Sequence, residues 1–188
     1  MASVKSQMVE LDSPAHDFNL LNTVNGEYVN LESLSGEQGT LIMFICNHCP
    51  YVVNIASELS RFAKEYTPKG ISVIAISSND IVNYPEDSPE LMKENARENG
   101  YIFPYLYDET QSVAREYGAE CTPDIFLYDG EMSLVYRGQF DSSRPRNGVT
   151  PSGKDLRKAS DDLLAGNKIN SEQTPSIGCN IKWKNKIK

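Results

Sequence analysis

The chain has 188 residues, 39% hydrophobic and 23% charged, with a net charge of −8, which fits one globular domain with a sizeable core. That acidic balance argues against broad nucleic-acid binding, which needs a basic face, and no apolar run reaches bilayer-spanning length, so neither nucleic acid nor a membrane is an expected partner. The opening MASVKSQMVELDSPAHDF has polar residues where a secretory leader is apolar, so a cytoplasmic protein is expected, and four cysteines are too few for a disulfide-stapled scaffold.

In chain order, FNLLNTVNGEYVNL reads as a hairpin turning at Asn25-Gly26, a pair suited to positive φ. LESLSGEQG is a polar connection, and TLIMFI, residues 40–45, is a short apolar run of the kind buried on both faces. After Pro50, apolar residues at Val52, Ile55, Ala56, Leu59, Phe62, Ala63 and Tyr66 recur at helical spacing, closed by Thr67-Pro68 and Gly70. ISVIAI, residues 71–76, is a second buried strand, so a parallel strand–helix–strand unit is the default.

NYPEDSPE is an acidic loop in which Ser88 caps, and Pro89 opens, a helix that Gly100 stops. FPYLYD is a short strand and TQSVAREYG a short helix. PDIFLYDGEMSLVYRG is a second hairpin, about Asp129-Gly130. A long polar loop, FDSSRPRNGVTPSG, leads to the helix GKDLRKASDDLLAG. The remainder shows little periodicity and ends basic, with Lys182, Lys184, Lys186 and Lys188. The expected organisation is one domain over residues 1–170 and a C-terminal tail, 171–188, carrying Cys179. Helices on both faces of one mixed sheet give an α/β fold.

The chemistry concentrates in FICNHCPYV. Cys46 and Cys49 lie between a buried strand and a helix, where unpaired N–H groups stabilise an anion and lower a thiol's pKa. By position, Cys46 is expected to attack and Cys49, one turn on, to resolve the mixed disulfide. His48, when protonated, adds a positive charge that favours the thiolate. Two other readings stand beside this one: half of a metal site, completed from Cys121, Cys179 or His48, and a pair of inert buried thiols. Thr122-Pro123 directly precedes a strand; a cis bond there would set Thr122 backbone groups against the cysteines and offer a pairing edge to an extended substrate. Cys121 reads as a small buried hydrophobe, or as a third redox thiol or ligand. Cys179 either folds back as a partner thiol or packs beside Trp183. Asp124 reads as a polar strand-start residue and His16 as a surface residue.

A strand, Cys-x-x-Cys and a helix, then Thr-Pro before a hairpin and a last helix, resemble the thioredoxin-like fold. The opening SPAHDFNLLNTVNGEYVNLESLSG resembles the redoxin branch, grouped with the alkyl hydroperoxide reductase and thiol-specific antioxidant proteins. FICNHCPYV, YPEDSPE, FPYLYDETQSVAREYGAECTPDIFLYD and PSIGCNIKWK resemble a widespread thioredoxin family, over nearly the whole chain. The resemblance implies a three-layer α/β/α arrangement with a central mixed sheet and an added N-terminal hairpin. It also implies Pro123 as a cis-proline facing Cys46 and Cys49, and dithiol–disulfide exchange with a protein or small-molecule disulfide, recycled by a reducing dithiol partner without a cofactor. Ile45, Asn47 and His48 replace the Trp and the Gly-Pro usual around a thioredoxin pair. Dedicated peroxidases carry a hydroxyl three residues before the reactive cysteine; Met43 and Cys46 occupy those positions here. Thiol peroxidase activity is thus the alternative rather than the leading expectation.

Overall fold

A computed structural model describes residues 3–185; Lys186 and Lys188 of the basic end lie outside the described residues. The strands are β1 (Ser3–Lys5), β2 (Asn19–Asn22), β3 (Tyr28–Asn30), β4 (Gly39–Phe44), β5 (Ile71–Ser77), β6 (Tyr105–Tyr107), β7 (Cys121–Thr122), β8 (Asp124–Asp129), β9 (Leu134–Tyr136) and β10 (Ile177–Asn180). The helices are α1 (Leu31–Leu34), α2 (Pro50–Tyr66), α3 (Pro89–Asn99), α4 (Ser112–Glu116) and α5 (Lys154–Leu164). None of the described helices is long and apolar enough to cross a membrane.

The main sheet has the order β3-β2-β6-β5-β4-β8-β9. β4, β5 and β6 run parallel, and the flanking pairs are antiparallel. The centre is buried on both faces, which is why TLIMFI and ISVIAI carry no polar alternation. Leu41, Met43, Val73, Ala75, Ile125 and Leu127 face α2, α3 and α5; Ile42, Phe44, Ile74, Ile76, Phe126 and Tyr128 face the opposite layer with α4. All seven apolar positions read along α2 are buried. The result is the thioredoxin-like three-layer α/β/α arrangement, with the N-terminal hairpin β2–β3 joined to the sheet through β6.

Three local features differ from the sequence expectation. The connection LESLSGEQG contains α1, capped by Asn30, whose side chain accepts from Ser33 N at 2.8 Å. In the β8–β9 turn it is Met132, not Gly130, that adopts positive φ (62°). Asp129 organises this turn, accepting from Glu131 N at 3.0 Å and Ser133 N at 2.9 Å. Gly130 is required instead by close approach, since a Cβ there would stand 2.6 Å from the Glu37 carbonyl oxygen. The third difference is the tail. Residues Ile177–Asn180 form β10 at the centre of a second sheet, β1-β10-β7. Gly178 and Asn180 are poor strand formers, so pairing on both edges, not local preference, makes this strand.

Asp124 starts β8 and is fully buried with Arg137, which forks across both carboxylate oxygens. The guanidinium also lies over the Phe126 ring at 3.9 Å. Burial pushes the Asp124 carboxyl up and Arg137 pulls it back. This pair locks the start of β8, directly after Pro123. Arg137→Leu leaves a buried unpaired carboxylate, and urea unfolding is expected to show a loss of about 3–5 kcal/mol. Asp124→Asn in the same chain should recover part of that loss; a loss under about 1 kcal/mol would contradict the pairing.

Candidate active site

Pro50 decides where α2 begins. Its fixed φ suits the first helical position, and it holds the preceding residue extended. Cys49 accordingly has φ −70° and ψ 120° and is the N-cap of α2. Cys46 lies three residues upstream, between the end of β4 and the helix. The helix start at Pro50 agrees with the helical spacing read after that proline.

Both thiols are shielded, Cys46 2% and Cys49 0% exposed. The Thr122–Pro123 peptide bond is cis, and Thr122 faces both sulfurs. Its hydroxyl is 3.4 Å from Cys46 Sγ, and its carbonyl accepts from Cys49 Sγ at 3.0 Å. Donors to Cys49 come from the Cys46 thiol above all, then from Thr122, Cys179 and the Val52 amide. Several donors against one carbonyl acceptor favour the Cys49 thiolate and hold its pKa down, to about 5. Cys46, as the donor of that bond and buried beside Asp87, is pushed well up. The contact between the two sulfurs thus lowers the pKa of Cys49 and raises that of Cys46.

Asn47 and His48 are tied to the loop after β5. Asp87 is fully buried and accepts from Asn47 N at 2.8 Å and Asn79 Nδ2 at 2.7 Å, with His48 Nδ1 also 2.7 Å away. Asn47 Nδ2 donates to the Glu86 carbonyl at 2.8 Å, and Tyr105 Oη donates to Asn47 Oδ1 at 3.2 Å. His48 stacks on Tyr84, with ring centroids 5.6 Å apart. Hydrogen bonding to Asp87 raises the His48 pKa, against its desolvation. The role of Asp87, Asn79 and Tyr105 was not read from the sequence. YPEDSPE is acidic and turn-like, and nothing local distinguishes Asp87 from its exposed neighbours.

The other two cysteines separate. Cys121 is fully buried, its sulfur 3.6 Å from the Pro123 carbonyl oxygen, and burial pushes its pKa up. It behaves as a small protonated hydrophobe. Cys179 joins the cluster containing Cys46 and Cys49, whereas Trp183 packs against the opposite layer, under Arg115 at 4.3 Å. His16 is exposed.

Donor atoms of Cys46, His48 and Asp87 lie within 4.8 Å of one another, the one such metal-type cluster among the described residues. The Asp87 carboxylate is already met by Asn47, Asn79 and His48, and a protonated His48 offers no lone pair at Nδ1. The arrangement is therefore that of a histidine–carboxylate pair supporting the Cys46–Cys49 loop.

The sequence profile of the AhpC/TSA family matches residues 11–137. No curated protein sequence matches the chain. Among solved structures it is similar to an uncharacterized conserved protein from Geobacillus kaustophilus, at 53% identity over 98% of this chain and 97% of the other, with a TM-score of 0.96. A hypothetical protein from Sinorhizobium meliloti is 46% identical over 96% and 98%, with a TM-score of 0.93. At the level of fold, the chain is similar to the thioredoxin domain of a thiol-disulfide oxidoreductase from Bacteroides vulgatus, 19% identical over 70% and 91%, with a TM-score of 0.58.

The ultraviolet absorbance of a single thiolate is expected to appear with a midpoint near about 5. It should be absent in Cys49→Ser and shifted upward in Cys46→Ala, which removes the strongest donor; absorbance that survives Cys49→Ser would contradict the assignment. Imidazole NMR should place the His48 midpoint above 6.5, and Asp87→Asn should lower it. Because the folded-state value is raised, the stability this pair contributes is complete below pH 6.5 and is lost as pH rises through the folded midpoint. A His48 midpoint indifferent to Asp87→Asn would rule the pairing out.

Proposed function

The chain belongs to the AhpC/TSA family, and from that premise we propose that it is a thiol–disulfide oxidoreductase working through Cys49 and Cys46. The observation that carries this reading is the meeting of Cys46 and Cys49 at Thr122, with Cys49 in the N-cap position of α2. The Cys49 thiolate attacks one sulfur of a disulfide; that S–S bond breaks and the departing thiolate takes up a proton. A mixed disulfide remains on Cys49. Cys46 then gives up its proton and attacks Cys49 Sγ, releasing the second substrate thiol. Two electrons have passed to the substrate, and the Cys46–Cys49 disulfide is reduced by an external dithiol. The roles are reversed from those expected by sequence position, because the hydrogen bond from Cys46 lowers the Cys49 pKa.

Asn47, His48 and Asp87 act as positioning residues: Asp87 fixes the loop on which Cys46 is presented. Thr122 and Pro123 form the opposing wall. No cofactor enters the reaction, and the reading takes the cytoplasm as its compartment.

A second reading, thiol peroxidase, is favoured by one observation. Cys46 and Cys49 are both shielded, with the Thr122 hydroxyl 3.4 Å from Cys46 Sγ, an arrangement that admits a peroxide more readily than a large disulfide. The two are separated by redox titration with peptide mapping and by parallel rate measurements. A Cys46–Cys49 bridge with a defined potential is expected, and Cys49→Ser should slow reduction of glutathione disulfide by at least ~100-fold. Cys46→Ser should leave the first exchange step intact. Peroxide consumption well above that of a free thiol, with slow disulfide exchange, would replace the first reading by the second.

A further inference from the structure

The edge that sequence position suggested for an extended substrate is already filled. β10 runs antiparallel to β7, with Cys179 opposite Thr122 and Asn180 opposite Cys121. The approach is so close that a Cβ on Gly178 would stand 2.0 Å from the Thr122 carbonyl oxygen, so only glycine lets the strand close down there. Beyond the strand the chain is fastened. Ile181 N donates to the Glu120 carbonyl at 3.1 Å and Lys182 N to Asn79 Oδ1 at 2.8 Å. The Lys182 carbonyl accepts from Asp80 N at 2.8 Å and Gln111 Nε2 at 2.9 Å. β1 closes the other edge of β10.

This anchoring puts the Cys179 sulfur, 3% exposed, in one buried cluster with Cys46 and Cys49. Thr122, the partner of Cys179 across the strand pair, also meets Cys49, whose Sγ lies 3.0 Å from the Thr122 carbonyl oxygen. We propose that Cys179 is a second resolving thiol, presented to Cys49 by a strand that takes the place of an extended substrate along Thr122. The proposal rests on disulfide exchange at Cys49. Burial, with the Cys49 contact, keeps Cys179 protonated, its pKa pushed up to about 12. It therefore leaves the Cys49 thiolate as the attacking group and acts second. Once Cys49 is in a mixed disulfide, Cys179 loses its proton and attacks Cys49 Sγ. The bond to the substrate sulfur breaks, the substrate leaves as a thiol, and a Cys49–Cys179 disulfide ties the C-terminal strand to the helix start. The electron count equals that of the Cys46 route. With the Thr122 edge filled, a substrate reacting while β10 stays docked is a small disulfide rather than a strand-adding peptide.

The test uses full-length Cys46→Ser treated with glutathione disulfide, quenched in acid, alkylated and peptide-mapped. The expected product is a Cys49–Cys179 peptide with no retained glutathione. Glutathione persisting on Cys49 beside an alkylated Cys179 would overturn the proposal and leave exchange at Cys49 standing. An unreacted Cys49 would overturn both. Wild-type protein mapped in the same way should yield a Cys49–Cys179 fraction, absent in Cys179→Ser. Adding Gly178→Ala to Cys46→Ser should slow bridging about tenfold or more while Cys49 is still glutathionylated; an unchanged bridging rate would overturn the presenting role of β10.

Discussion

The site depends on where α2 starts. Pro50 cannot donate a backbone hydrogen bond, and it keeps the residue before it extended, so the helix begins immediately after Cys49, which takes the N-cap position. The helix is held against the sheet by its buried face, Val52 through Tyr66. The cysteines and Thr122 are therefore fixed from opposite sides: one by α2, the other by the β7–β8 segment, which the Asp124–Arg137 pair locks in place.

Around this constraint the polar groups divide by task. The Thr122 hydroxyl lies against Cys46 Sγ, and the Thr122 carbonyl accepts from Cys49 when that thiol is protonated. Asp87 supports the intervening residues from the far side, joining Asn47, Asn79 and His48 in one buried network. A buried carboxylate is costly unless it is met by donors, and here it is met three times. The acidic loop after β5 is thus part of the cysteine centre, although it comes from a separate stretch of chain.

Much of the fold was legible because its signals are local. Continuous apolar runs gave β4 and β5, helical spacing gave α2, and Ser88-Pro89 with Gly100 bounded α3. The cysteine pair and Thr122-Pro123 were legible as motifs, and the structure brings them together. What escaped was set by tertiary contact. β10 has few strand-forming residues and exists because β1 and β7 pair with it. Asp87 gains its role only because its loop folds over Asn47 and His48.

The central claim is that Cys49, not Cys46, carries the reactive charge. The most direct measurement is to mix wild-type protein with a substoichiometric pyridyl disulfide, quench in acid within milliseconds, and locate the first mixed disulfide by mass spectrometry. The account predicts that the earliest adduct is on Cys49, with intramolecular disulfides appearing only afterwards. An earliest adduct on Cys46 would contradict it.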